Sequence, residues 1–182
     1  VTSTPTLSPI PAYKTTPSVT CTNSTSSDND GDAVTFYYLW FKNGADTGIT
    51  TSTISNSSFV KNDQLICQIM PFDGTANGTA VNSSALTISN LPPSTRIPTL
   101  SPIPAYKTTP TVTCTNSTTS DPDSDSVTFY YLWFINGASS GVVTQTISNS
   151  SFNKGDQLIC QITPSDGTAN GSAVENSLRP RS

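Results

Sequence analysis

The chain has 182 residues, a formal net charge of −4, only 11% charged residues, and Ser and Thr at almost a third of all positions. Its eight Lys and Arg form no basic stripe that could neutralise phosphates, which excludes a nucleic-acid binder. The absence of His removes Ser-His and Cys-His catalysis and imidazole-built metal sites, and no apolar run approaches the roughly 18 residues of a membrane span.

The sequence repeats itself at a constant offset of 93 positions. LSPIPAY from Leu7 to Tyr13 recurs from Leu100 to Tyr106, Cys21 matches Cys114, Trp40 matches Trp133 and Cys67 matches Cys160, with no gap. Two domains of roughly 90 residues follow, 1–93 and 94–182, the first with an N-terminal arm (1–10) and a linker (91–97). A first residue of Val in place of Met fits a processed chain.

In chain order, the arm VTSTPTLSPI is expected to lie free ahead of the first domain, with Val1, Leu7 and Ile10 as its large apolar residues. SVTCTN reads as a strand with Val19 and Cys21 on one face. An acidic loop follows with Asp28, Asp30 and Asp32, repeated as Asp121, Asp123 and Asp125. Alternating carboxylates can turn several oxygens toward a hard cation such as Ca2+. An EF-hand is excluded, because Ala33 and Leu39 stand at its sixth and twelfth positions.

TFYYLWFKNG reads as a strand with Phe36, Tyr38 and Trp40 inward, ended by an Asn43-Gly44 turn. Its outward residues Tyr37, Leu39 and Phe41, joined by Ile66, form an apolar face, repeated as Tyr130, Leu132, Phe134 and Ile159. Such a face is expected to be covered, by another domain, the chain's own linker or sugars. DQLICQIMP alternates with Leu65, Cys67 and Ile69 inward, and ALTIS ends the copy with Leu86 and Ile88 inward. Period-two alternation, 14 prolines and no amphipathic helical stretch together predict an all-β chain.

The four cysteines permit three connectivities, and repeat symmetry favours Cys21 with Cys67 and Cys114 with Cys160. Such bridges imply an oxidising, secreted setting. Seven Asn-x-Ser/Thr sequons, at Asn23, Asn56, Asn77, Asn82, Asn116, Asn149 and Asn170, fall in predicted loops or at strand ends, where glycans can leave the surface. The Thr- and Pro-rich stretches also suit O-linked sugars.

The order Cys21, Trp40 in YLWFKNG, Cys67 in NDQLICQI and an alternating last strand resembles an immunoglobulin-like sandwich, a Trp packed on an inter-sheet disulfide. Leu65 and Leu158 stand two before the second Cys, so the tyrosine corner is missing. SDNDGDAVTFYYLWFKNG followed by SSFVKNDQLICQIMPFDGTANGTAV is also similar to the tandem immunoglobulin-like, cadherin-like or PKD-like repeats of secreted microbial surface proteins. The resemblance implies two tandem β-sandwiches, a role in extracellular architecture or adhesion, and the acidic loop beside Asp73 or Asp166 at one end of each sandwich.

The two copies diverge at their ends. Where the first reads SSALTIS, the second reads NSLRPRS, which sets Arg179 and Arg181 against Leu86 and Ile88. Two unpaired guanidinium groups cannot be buried at tolerable cost, and Pro180 lacks a ladder N–H. The second sandwich is therefore expected to lack its own last strand. Its groove would be filled by the arm Val1–Ile10 of the next subunit in a head-to-tail filament, or by a slipped tail that inserts only Leu178. These features point to a non-enzymatic subunit of a glycosylated extracellular filament or surface layer, whose partners are copies of itself. A surface adhesin that binds carbohydrate or protein is the alternative.

Overall fold

The computed structural model describes residues 2–23 and 25–176. The chain is all-β, with no α-helix among the described residues. It forms two compact units, Val1–Asn90 and Leu91–Ser182. The boundary lies three residues before the expected 93/94. Leu91 donates its amide to Asp123 Oδ2 at 2.7 Å, and the Pro93 carbonyl lies so close to Gly171 that a Cβ there would meet it at 1.9 Å.

The first unit contains β1 (Thr6–Ser8), β2 (Ala12–Tyr13), β3 (Ser18–Thr22), β4 (Thr35–Lys42), β5 (Ala45–Asp46), β6 (Thr53–Ser55), β7 (Gln64–Phe72), β8 (Val81–Asn82) and β9 (Leu86–Ser89). One sheet has the order β1-β3-β6, and the other runs β2-β9-β7-β4-β5 with β8 also on β7. Side chains alternate between sheet faces with period two, so β7 is buried at every second residue from Leu65 to Pro71. The inward set, Leu7, Val19, Cys21, Trp40, Ile54, Phe59, Leu65, Cys67, Ile69, Leu86 and Ile88, forms one core. The Cys21–Cys67 disulfide ties β3 to β7, and so one sheet to the other. Trp40 is fully buried, and its indole N–H donates to the Thr51 carbonyl at 2.9 Å, so its burial leaves no polar atom unsatisfied. Asn43 and Gly44 both take positive φ (51° and 81°), which closes the two-residue turn from β4 to β5.

The second unit contains β10 (Ser94–Thr95), β11 (Thr99–Ser101), β12 (Thr111–Thr115), β13 (Thr119–Ser120), β14 (Thr128–Ile135), β15 (Ala138–Ser139), β16 (Thr146–Ser148), β17 (Leu158–Ser165) and β18 (Val174–Glu175). β11-β12-β16 and β15-β14-β17-β18 reproduce the two sheets, with Leu100 opposite Cys114 and Trp133 opposite Cys160 as their equivalents stand in the first unit. Cys114–Cys160 closes the second core. Both expected disulfides are therefore formed. Among the described residues, no strand corresponds to β2, and the positions aligned with β9, 179–182, on which the expected loss of the last strand rests, lie outside the described residues.

The expectation of a free N-terminal arm is corrected by the pairing of β1. Thr6, Leu7 and Ser8 stand opposite Thr22, Cys21 and Thr20, Thr2 bridges Ser26, and the Ser3 amide donates to the Thr25 carbonyl. Pro5 and Leu7 are buried. The sequence reading places Leu7 in a segment ahead of the first domain, with Pro5 and Pro9 on either side. The prolines fall outside Thr6–Ser8 and leave the three paired residues unaffected. Of the other residues named for assembly, Ile10 is exposed, and Val1 and Leu178 lie outside the described residues.

Candidate functional site

In the first unit β9 lies between β2 and β7. It runs parallel to β2, with Ala12 beside Ile88, and antiparallel to β7, with Leu65 opposite Leu86. The Asn62 amide donates to the Ile88 carbonyl and the Ile88 amide to the Asp63 carbonyl, both at 2.8 Å. Leu86 and Ile88 are buried while Thr87 between them is exposed. Beneath this strand Ala12, Leu65 and Phe59 have at most 1% of their surface exposed.

The equivalent place in the second unit is a groove of about 550 Å³ lined by Leu100, Ala105, Val112, Phe152, Leu158 and their neighbours. Ala105, the counterpart of fully buried Ala12, is exposed. Tyr106 is 63% exposed, whereas Tyr13 is half-buried. Among the described residues, none makes with Gly155 and Asp156 the pair of backbone bonds that β9 makes with Asn62 and Asp63.

The walls are held by bonds of their own, with no strand between them among the described residues. Lys107 Nζ donates to the Asn149 carbonyl at 2.6 Å and the Phe152 carbonyl at 2.8 Å, as Lys14 does to Asn56 and Phe59. The Tyr106 amide donates to Thr109 Oγ1, and the Thr109 amide returns to the Tyr106 carbonyl. Asp156 fixes the opposite wall, accepting from the Asn153 amide at 2.7 Å and from Asn136 Nδ2 at 2.8 Å. The Asn153 amide, more than Asn136, holds its carboxyl below the ordinary carboxylate range. Sequence reading missed both lysine anchors, since their carbonyl partners lie 42 and 45 residues away.

The chain follows the same course up to the groove in both units. Ser83 Oγ accepts from the Cys67 amide and its own amide donates to the Cys67 carbonyl. Asn176 does both for Cys160, its Oδ1 accepting at 2.7 Å.

The acidic loops differ between units. In the second, carboxylate oxygens of Asp121, Asp125 and Asp166 all lie within 4.8 Å of one another. Asp121 Oδ1 accepts from the amides of Asp123 and Asp125, while Asp121 Oδ2 and Asp123 Oδ1 are buried and without a hydrogen-bond partner. In the first unit, Asp28 and Asp73 line one small cavity, but Asp30 and Asp32 are exposed. The Ala76 amide, ahead of the Thr75 amide, holds the Asp73 carboxyl below its ordinary range.

On the outward face, Tyr37 and Tyr130 are exposed, and Leu39, Phe41, Ile66, Leu132, Phe134 and Ile159 are half-buried. Tyr37 packs on Phe72 with ring centroids 5.7 Å apart. Among the sequons, Asn77, Asn82 and Asn170 are exposed, whereas Asn23, Asn56, Asn116 and Asn149 are half-buried. Asn82 Oδ1 accepts from Gln68, a bond that does not use the Nδ2 where a glycan attaches, whereas Asn149 Nδ2 donates to the Lys107 carbonyl, so a glycan there competes with that bond.

No protein-family model matches the chain, and no curated protein matches it. No helix among the described residues is long and apolar enough to cross a membrane.

Proposed function

We propose that the chain is a structural subunit of an extracellular glycosylated filament or surface layer, built of two immunoglobulin-like sandwiches and joined head-to-tail by strand donation. The observation that carries this reading is the preformed groove of the second unit, where the first unit holds β9. A heterologous joint of this kind propagates unless its rotation closes a ring. The two disulfides suit an oxidising compartment, and the exposed sequons suit a glycan coat. Because Thr2–Ser8 is committed to its own sandwich, the donated strand comes from a part of the neighbouring copy that its own sandwiches leave free.

Electron microscopy of the purified chain tests this. Linear polymers are expected for the unaltered protein, and dispersed two-unit particles for Ala105→Arg, which sets a charged side chain in the donated strand's place without touching the core. Polymers of unchanged length and repeat in the variant would contradict strand donation at this groove.

A second property rests on Asp121, whose Oδ2 is buried without a hydrogen-bond partner and whose carboxylate converges with those of Asp125 and Asp166. The site suits a hard cation, which takes six to eight oxygen ligands. Calcium is expected to raise the melting temperature of the second unit, and Asp121→Asn to abolish that rise. A melting temperature indifferent to calcium and chelator would remove the site.

A further inference from the structure

We infer that Asn82 carries an N-linked glycan that lies across the outward face of β4 and β7, and that the second unit lacks both this sugar and the apolar floor beneath it. The inference rests on the reading of the chain as glycosylated and extracellular. It specifies one attachment site and what the sugar there does, whatever joins one copy to the next.

The sequons are unevenly shared between the repeats. Asn23, Asn56 and Asn77 recur 93 positions later as Asn116, Asn149 and Asn170, whereas Glu175 stands at the place of Asn82 and the sequon is lost. The two residues are placed alike. Asn82 in β8 is opposite Gln68, Glu175 in β18 is opposite Gln161, and both are exposed. The Asn82 side chain turns onto the outward face, where its Oδ1 accepts from Gln68 Nε2 at 2.9 Å. That bond orients the carboxamide and leaves Nδ2 to bear the sugar. Gln68 is in turn opposite Leu39, so with neighbouring strands about 4.8 Å apart Asn82 lies about 10 Å from the middle of the face.

The floor changes together with the sequon. On β4 and β7 Tyr37 is opposite Met70 and Phe41 opposite Ile66, with the Phe72 ring packed beside Tyr37. The second unit keeps Tyr130, Leu132, Phe134, Ile159 and Gln161 at the same register, but Thr163 replaces Met70 and Ser165 replaces Phe72. Ser165 turns its hydroxyl to the Ala169 carbonyl of its own loop. An antiparallel sheet that faces water is ordinarily polar on that side, so Met70 and Phe72 call for a cover that Thr163 and Ser165 do not. A pyranose ring supplies one, because its C–H bonds can rest on the electron-rich face of an aromatic ring while its hydroxyls stay in water. Attachment is a displacement at the anomeric carbon of a sugar activated as a diphosphate ester. The Asn82 Nδ2–C1 bond forms as the C1–O bond breaks, the amide gives up one proton, and the diphosphate leaves with the electron pair.

The test uses the full chain secreted by a host that makes N-linked glycans, beside Ser84→Ala, which removes the sequon at an exposed position and keeps the Asn82–Gln68 pair. Glycopeptide mass spectrometry reads occupancy, and hydroxyl-radical footprinting reads Tyr37 against Tyr130, which without sugar are 53% and 61% exposed. A glycan at Asn82 is expected, with labelling of Tyr37 lost relative to Tyr130 and restored to the level of Tyr130 in Ser84→Ala. Sugars at other sequons with Asn82 bare would overturn the inference and leave the glycosylated reading standing. Equal labelling of Tyr37 in the two proteins would overturn it as well, since high labelling leaves the face open and low labelling assigns its cover to a polypeptide surface. A chain bare at every sequon would refute the glycosylated reading and the inference together.

Discussion

Ile88→Arg is expected to melt the first unit at its last strand, while Thr87→Arg, one residue away with the same charge, should cost no more than about 0.5 kcal/mol. Ile88 is fully buried between β2 and β7, and a guanidinium in that apolar core is buried at prohibitive cost. The charge must leave, and β9 must leave with it. The loss then comprises the burial of Leu86 and Ile88, about 1.5–3 kcal/mol each, and the ladder bonds to Asn62 and Asp63. A total of about 4–7 kcal/mol is a large part of the 5–15 kcal/mol that holds a typical domain. Hydrogen exchange would show it as lost protection at the Asn62 and Ile88 amides. Ala12 should become as exposed as Ala105 already is. Equal protection in the Ile88→Arg and Thr87→Arg proteins would mean that β9 is not the closing strand described.

Reduction of the disulfides is the second large effect. Each bridge closes a 46-residue separation between facing sheets, and the chain-entropy model gives about 4 kcal/mol for a loop of that size. The units should not suffer equally. The first retains β2 and β9 across its open side, whereas the second has no such pair among the described residues, so it has less stability to lose. Under graded reductant followed by thiol alkylation and peptide mass spectrometry, Cys114 and Cys160 are expected to label before Cys21 and Cys67. The reverse order would show that β9 contributes little to closing its unit.

Much of this organisation was legible in the sequence because strand periodicity, disulfide pairing and a repeat without gaps are local or symmetric signals. Phe36, Tyr38 and Trp40 alternate with Tyr37, Leu39 and Phe41, and the structure keeps that division. Arg179 and Arg181 stand where the first copy has Leu86 and Ile88, and they lie outside the described residues. The role of the N-terminal segment was less legible. TPTLSP reads as a Pro-rich arm, and only its pairing with Thr20–Thr22 reveals that Leu7 belongs to the core. Nothing local announces that the Lys14 and Lys107 ammonium groups hold carbonyls 42 and 45 residues away. The acidic loops are almost alike in sequence, yet oxygens of three carboxylates converge in the second unit. Loop path decides that, and three alternating Asp residues do not encode it.

The most direct test is a density map of the polymer at side-chain resolution around Ala105–Tyr106 and Gln157–Leu158. A strand from a second copy is predicted there, parallel to the first segment and antiparallel to the second, with apolar side chains at two alternate positions over Ala105 and Leu158 and backbone bonds to Gly155 and Asp156. A groove filled by the same copy's own tail, or left open while the copies join through another face, would contradict it.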